Sequence, residues 1–401
     1  MMRSNALGFE VSHHCTSAVG VHARRGRVTT PHGTFETPAF MPVATAAAMK
    51  GLTPKQVRGT GSECILNNAF HLLLRPGAER IKNHGGVENG GVHNFMRWNG
   101  PILTDSGGFQ AFSMAQINRM DEDGVTFKSF IDGAMVHLGP ESSMSVQQAL
   151  GADIAMAFDD CPPAGDSIPE SQRRERTLQA KDRTIRWLKR CVAAHHREDQ
   201  ALFGIVQGGT ELDLRTASVE ETCAFDLSGY AIGGVAVGEG TDAIESVVRH
   251  TAPLLPANRP RYLMGVGYPR DIMMAVESGV DMFDCVLPTR NGRNGMAFTR
   301  DGAIRLRNAI HSDDPNPIEP DCDCEACAGG FSRAYLRHLF MAGEMLGPTL
   351  VSLHNIRLFQ RLLLDIRRAI EDDAWLQLRN RWPCVNQVHG ETQELNGVSD
   401  E

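Results

Sequence analysis

The amino-acid sequence predicts an α/β fold: a (β/α)8 TIM barrel with an N-terminal antiparallel sheet and a cysteine-bearing insertion between the last strand and the last helix. Three observations carry this expectation. Eight short apolar runs recur along the chain, and each closes on a polar residue or a glycine. Helical patterns lie between most of them. The first run is followed by ATAAAMKGLTP, without the glycine-rich phosphate loop that a doubly wound sheet carries after its first strand.

Residues 1–38 are assigned to the small sheet, because short apolar pieces there alternate with the turn residues Gly20, Arg25-Gly26 and Pro31-His32-Gly33. The barrel is assigned to 39–295. Its runs are 39–43, 64–66 closing on Asn67 and Asn68, 102–104 closing on Asp105, and 154–158 closing on Asp159 and Asp160. Then come 202–206 closing on Gln207, 230–232 closing on Gly233 and Gly234, 262–264 closing on Gly265, and 280–283 closing on Asp284. Helices are expected at 54–61, 140–150, 172–194, 212–223, 241–252 and 269–278. No helix follows the eighth run at once. Instead 296–307 predicts a hairpin turning at Asp301-Gly302, within an insertion assigned to 296–353. A closing helix is assigned to 354–382, with Ile356, Phe359, Leu363, Ile366 and Ile370 at helical spacing, and 383–401 is expected to be a disordered polar tail.

At 401 residues and 42% hydrophobic, the chain is long enough for one large α/β unit with an appendage. No apolar run approaches the ~18–20 residues that cross a bilayer, and 1–14 lacks an apolar signal core, so a cytoplasmic protein is the expectation. The net charge of −8 argues against a broad non-specific nucleic-acid surface but leaves room for a local one. The most basic stretch, 173–197, is expected to be a solvated helix face laced with Glu175 and Asp182.

Chemistry is concentrated at the ends of the runs, where a barrel builds its active site. Asp105, Asp159, Asp160 and Asp284 all fall there; like charges held close push pKa values apart, so one acid can serve as nucleophile and another as proton donor. Asp284 opens DCVLPTRNGRN, an acid followed by Arg290 and Arg293, as a nucleophile facing an anionic polymer requires. Gln207 and the backbone of Gly233-Gly234 add an amide and N–H groups, a mixture suited to a flat purine edge, with Phe109 and Met264 available for its faces. Separately, Cys322, Cys324 and Cys327 form C-x-C-x2-C. Three thiolates this close suit structural zinc, whose fourth ligand is His338 or His354; His354 is preferred because it would open the closing helix.

With these residues in view, the chain resembles the bacterial-type tRNA-guanine transglycosylase family. The likeness rests on TPAFMPV, FHLLLRPG, GPILTDSGGFQ, FDDC, GIVQGG, GGVAVGE, YLMGVG, DMFDCVLPTRNGRNG, the cysteine segment, SRAYL and LHN. It implies that Asp284 attacks C1′ of the wobble guanosine, that Asp105 is the general acid/base, and that a covalent enzyme–RNA intermediate forms. The implied incoming base is 7-aminomethyl-7-deazaguanine (preQ1), for tRNAs with a GUN anticodon. Ser106, Asp159, Gln207, Gly234 and Met264 are implied in the base pocket, with Phe109 stacking. Arg290 and Arg293 are implied to contact the uridines of the U-G-U loop, and Cys322, Cys324, Cys327 and His354 to bind one structural zinc per subunit of a homodimer. Asn67, Ala69, Asp160, Pro162-Pro163 and Val235 depart from the family pattern, as do the long stretch 85–95 and one extra residue between Cys327 and His354. Val237 favours the smaller aminomethyl base.

Two other readings remain at this stage. A barrel glycoside hydrolase would also use two carboxylates, but should carry aromatic sugar platforms, and none of the four Trp or four Tyr is expected to adjoin the strand-end acids. A non-catalytic tRNA-binding partner subunit would not need both Asp284 and Asp105.

Overall fold

The computed structural model describes residues 6–16, 18–84, 90–108, 116–162, 169–235 and 238–387. Three strands, β1 (Gly8–His14), β2 (Arg24–Thr30) and β3 (Gly33–Thr37), pair antiparallel in that order. The barrel begins with β4 (Ala39–Ala44), β5 (Ile65–Asn67) and β6 (Ile102–Thr104). The chain then leaves it for a second antiparallel sheet, β7 (Gln116–Met120), β8 (Val125–Lys128) and β9 (Met135–Leu138), which the sequence reading did not anticipate. Its turn signals, Asp123-Gly124 and Asp132-Gly133, lie in the long interval between β6 and the helix expected at 140–150, where the sequence reading assigned no element.

Strands β10 (Ile154–Met156), β11 (Ala201–Val206), β12 (Gly229–Ile232), β13 (Arg261–Leu263) and β14 (Met282–Cys285) complete the barrel, which closes by parallel pairing of β14 with β4. All eight runs expected from the sequence are barrel strands. They are apolar on both faces because one face fills the barrel interior and the other packs on helices. Met41, Leu66, Leu103, Met156, Phe203, Ile205, Tyr262 and Met282 share the interior cluster, joined by Val28 and Phe35 from the N-terminal sheet.

That sheet therefore covers the end of the barrel where the strands start. Two buried carboxylates tie it there. Asp281, just before β14, pairs with Arg24 at 2.6 Å and accepts from the Arg261 backbone N–H. Asp153, just before β10, accepts from the Ile102 N–H and sits 2.8 Å from His32 Nδ1 and 3.2 Å from His93 Nε2, whose rings stack 3.6 Å apart. With one end sealed by these contacts, the opposite end is left for the strand-end acids.

The expected helices form at Pro54–Gly59, Pro140–Leu150, Glu170–Ala194, Leu212–Cys223, Thr241–Thr251 and Pro269–Glu277. Proline at the first turn starts three of them, where its missing N–H is no loss. The basic face of Glu170–Ala194 is neutralised: Arg174 pairs with Glu211 and Asp213, Arg183 and Arg186 with Glu122, and Arg190 with Glu141. It is a salt-bridged helix face, as expected, although most of its acids come from other elements.

After β14, the helix Leu287–Arg293 leads to the hairpin β15 (Met296–Thr299) and β16 (Gly302–Arg305). The cysteine segment follows, with helices Glu325–Ala328 and Arg333–Ala342. The closing helix is Leu346–Glu371 and so begins before His354. Gly347-Pro348 does not stop it, because a proline in the first turn lacks only an N–H that has no helical partner. His354 is thus two turns inside the helix, not at its start. At the other end, Pro383–Asn386 forms a 3-10 turn with Cys384 and Val385 buried, so the segment expected to be a free tail still packs there; 388–401 lie outside the described residues. Among the described residues no helix is long and apolar enough to cross a membrane.

Candidate active site

The strand ends bring Asp105, Ser106, Asp159, Gln207, Gly233, Gly234, Met264 and Asp284 to one mouth of the barrel. Phe109 lies outside the described residues. Asp105, after β6, is 6% exposed. Its carboxylate accepts from Asn68 Nδ2 at 2.6 Å and from the Ala69 N–H at 2.9 Å, both contributed by the end of β5. Burial, with the nearby charges of Asp284 and Asp159, pushes its pKa up to about 8, even though these donors favour the ionised form. A carboxyl raised this far can hold a proton at neutral pH.

Asp284, at the end of β14, is half-buried. Its Oδ1 accepts from Tyr262 Oη at 2.5 Å and from the Gly265 N–H at 2.8 Å. Among the described residues no hydrogen bond reaches its Oδ2. Burial raises the Asp284 pKa, and the two donors oppose the rise by stabilising the carboxylate. One oxygen is held and the other is free, which suits a nucleophile.

The neighbouring acids of β10's end divide their work. Asp159 accepts from Gln207 Nε2 at 2.7 Å and lies 3.5 Å from Ser106 Oγ, and burial lifts its pKa to about 6. Asp160 faces the other way. It pairs with Arg176 at 2.6 Å and Arg183 at 2.7 Å and anchors the helix Glu170–Ala194. Of the two acids that end this run, only Asp159 joins the other site residues.

Gln207 keeps Oε1 buried without a hydrogen-bond partner, an acceptor held ready beside Asp159. Gly234 has φ +63°, and a Cβ there would meet Gln207 Oε1 at 2.2 Å, so both conformation and space require glycine. The sequence reading overlooked Arg215. It is fully buried in the helix Leu212–Cys223, and its guanidinium donates to the carbonyls of Val206, Gly209, Gly233 and Gly234.

Arg290 and Arg293 lie on Leu287–Arg293, immediately after the nucleophile candidate. Neither makes an ion pair among the described residues. Their helix is fixed from behind by the closing helix: Asn355 Nδ2 donates to the carbonyls of Pro288 and Met296, and a Cβ on Gly292 would meet the Ser352 backbone at 2.8 Å. The same closing helix carries His354. Its Nδ1 lies 3.5 Å from Cys324 Sγ and 3.4 Å from Cys327 Sγ, and its Nε2 donates to the Phe298 carbonyl at 2.7 Å. Cys322, Cys324, Cys327 and His354 are all buried, with their ligand atoms within 4.8 Å of one another, a closed set that could hold a metal ion. His338 stacks on Tyr335 and is not part of it.

A family model described as queuine tRNA-ribosyltransferase matches residues 19–385. The chain belongs to the queuine tRNA-ribosyltransferase family. It is 52% identical over 358 residues to the queuine tRNA-ribosyltransferase of Pelotomaculum thermopropionicum, covering 89% of this chain and 94% of that one. It is likewise 52% identical to the Stenotrophomonas maltophilia enzyme over 359 residues and to the Xanthomonas axonopodis pv. citri enzyme over 360, covering 89% of this chain each time and 93% and 92% of those. This membership fits a mouth in which acids, an amide and free backbone N–H groups converge. One expectation fails: an aromatic side chain does adjoin the acids, since Tyr262 donates to Asp284. It does so from inside the barrel core, not as an exposed platform for a sugar. A polar hollow of about 630 Å³ between Glu79, Glu141, Gln148 and Arg197 contains none of these acids.

Proposed function

We propose that this queuine tRNA-ribosyltransferase family member replaces the wobble guanine of tRNAs with a GUN anticodon (Asp, Asn, His and Tyr) by preQ1. The carrying observation is the pair of unlike carboxyls at one mouth, Asp284 with a free oxygen beside two donors and Asp105 buried at a pKa of about 8. Asp284 Oδ2 attacks C1′ of the ribose as the glycosidic bond breaks, and its electron pair goes to the departing guanine, which takes the Asp105 proton. A covalent aspartyl–ribose ester remains. The incoming base then gives a proton to Asp105 and attacks C1′, and the Asp284 carboxylate leaves. Two inversions at one carbon retain configuration.

Asp159, Gln207, Ser106 and the Gly233-Gly234 backbone hold the base edge, with Met264 and Phe109 on its faces. Arg290 and Arg293 meet the phosphates or bases of the uridines on either side in the U-G-U loop; that neither makes an ion pair among the described residues supports this. One zinc ion, held by Cys322, Cys324, Cys327 and His354, has a structural role, because four protein ligands leave no open position. The closeness of the four ligand atoms, with Cys324 and Cys327 Sγ 3.5 and 3.4 Å from His354 Nδ1, supports these residues as the ones that would hold the ion. A homodimer is supported by the exposed apolar residues Tyr335, Met341, Met345 and Leu346 beside this subdomain. The tRNA substrate supports a cytoplasmic location.

The deciding experiment incubates the protein with an anticodon stem-loop and looks for a denaturation-resistant adduct on a gel. An adduct that disappears in Asp284→Ala separates transglycosylation from hydrolysis and from simple binding. Hydrolysed RNA without an adduct would favour the glycoside hydrolase reading; bound, unchanged RNA would favour the partner-subunit reading.

A further inference from the structure

The geometry points to Arg215 as a positioning residue that turns the backbone N–H groups of Gly234 and Val235 together into the base pocket, as a two-donor cradle for a carbonyl oxygen of the purine. This rests on the base-exchange reading above, in which the Gly233-Gly234 backbone already holds the base edge, and adds the side chain that orients that backbone. The observations are local. Arg215 is fully buried, yet among the described residues it hydrogen-bonds to no carboxylate; its partners there are four main-chain carbonyls. Two of these are consecutive, Gly233 at 2.7 Å and Gly234 at 3.1 Å.

A trans peptide directs its C=O and the following N–H to opposite sides. One guanidinium holding two successive carbonyls therefore sends the Gly234 and Val235 N–H groups away from itself, on the same side. The turn at Gly234, φ +63°, is the left-handed conformation that lets successive N–H groups converge on one acceptor. Neither N–H has a hydrogen-bond partner among the described residues, whereas the preceding one, Gly233 N–H, is taken by the Val206 carbonyl. Gln207 and Asp159 line the same mouth. The remaining Arg215 bonds, to Val206 and Gly209, tie this turn to the end of β11, so the cradle and Gln207 are held by one side chain. Burial lowers the Arg215 pKa to about 10, which leaves it charged at neutral pH.

A structural arginine would affect all ligands alike; a positioning one acts on the carbonyl. The test measures the dissociation constants of guanine and of 2-aminopurine, which lacks the carbonyl oxygen, for the full-length wild type, Arg215→Met and Arg215→Lys, with exchange kinetics alongside. The expected result is that Arg215→Met weakens guanine about 10- to 100-fold, the worth of one or two hydrogen bonds at a buried site, while 2-aminopurine changes less than about 3-fold. The KM for guanine rises by the same factor, while the KM for tRNA does not. Arg215→Lys, which keeps the charge but cannot fork between two carbonyls, falls in between, and it carries the test alone if Arg215→Met does not fold. Equal losses for both bases, or unchanged guanine binding in a folded variant, would overturn the proposal. Wild-type protein that neither binds nor exchanges guanine would instead refute the function on which it rests.

Discussion

Tyr262 Oη donates to Asp284 Oδ1 across 2.5 Å, from a phenol that is itself buried in the barrel interior. The bond joins the ends of two adjacent strands, β13 and β14. It holds one carboxylate oxygen, while among the described residues no hydrogen bond reaches the other.

Removing that donor should cost rate and move the acid limb of the pH profile. Burial already raises the Asp284 pKa, and Tyr262 opposes it; in Tyr262→Phe the opposition falls to Gly265 alone, so the carboxylate protonates at a higher pH. The expected loss in kcat is about 10- to 100-fold at pH 7, shrinking as pH rises. A pH–rate profile identical in shape to wild type would rule out this role. Asp284→Ala, by contrast, should abolish exchange at every pH.

Asp105 links activity to stability. Its folded pKa of about 8 lies above the ordinary value of 3.8, so the folded protein holds a proton that the unfolded chain has lost. The resulting stability is fully present below about pH 4 and declines as pH rises through about 8. Asp105→Asn abolishes this decline, so its stability should gain on wild type between pH 5 and pH 8.5 by about a few kcal/mol, read as a widening difference in melting temperature, while exchange is lost. A constant difference in melting temperature across that range would show that Asp105 is ionised throughout.

Arg290 and Arg293 should act through the RNA backbone or its flanking bases. Alanine at either position is expected to weaken tRNA binding and to lower the slope of log affinity against log salt by about 0.7 to 1 per side chain. Guanine binding should be unchanged. Filter binding at several salt concentrations measures both; a lower affinity with an unaltered slope would assign the contact to a base, and unaltered affinity and slope together would remove these arginines from the RNA surface.

Cys324→Ser should reduce bound zinc from about one per chain to near zero and destabilise the closing helix, because the cluster contributes on the order of 10 kcal/mol to local folding when metal is bound. Asn355 sits next to His354 and fixes the Arg290 helix, so tRNA affinity should fall before guanine affinity does. Metal analysis with a thermal melt checks this; a metal-free variant melting as wild type does would exclude a structural ion.

Much of the fold was legible because each barrel strand carries its own signal: an apolar run, buried on both faces, that stops at a polar residue. The β7–β9 meander was missed although Asp123-Gly124 and Asp132-Gly133 mark its turns, since the helix at 140–150 already completes the β/α unit after β6 and the barrel pattern asks for no further strands there. Tyr262 and Arg215 were missed for another reason. A tyrosine in a strand and an arginine in a helix have local patterns compatible with plain packing or solvent exposure, and only their partners, 22 and 18 residues away, reveal otherwise.

By itself, then, the sequence determined the eight strands, the positions of the acids at their ends and the clustering of three cysteines, all of which depend on spacing along one chain. It preferred His354 to His338 only on the expectation that His354 opens the closing helix, and it set Asp159 apart from Asp160 only through the family resemblance. Tertiary structure decided these. Asp160 is neutralised by Arg176 and Arg183, His354 reaches the thiols from within a helix, and Asp105 is raised by burial beneath residues of other strands. Desolvation and charge pairing depend on what the fold brings near a group, and those neighbours come from distant parts of the chain.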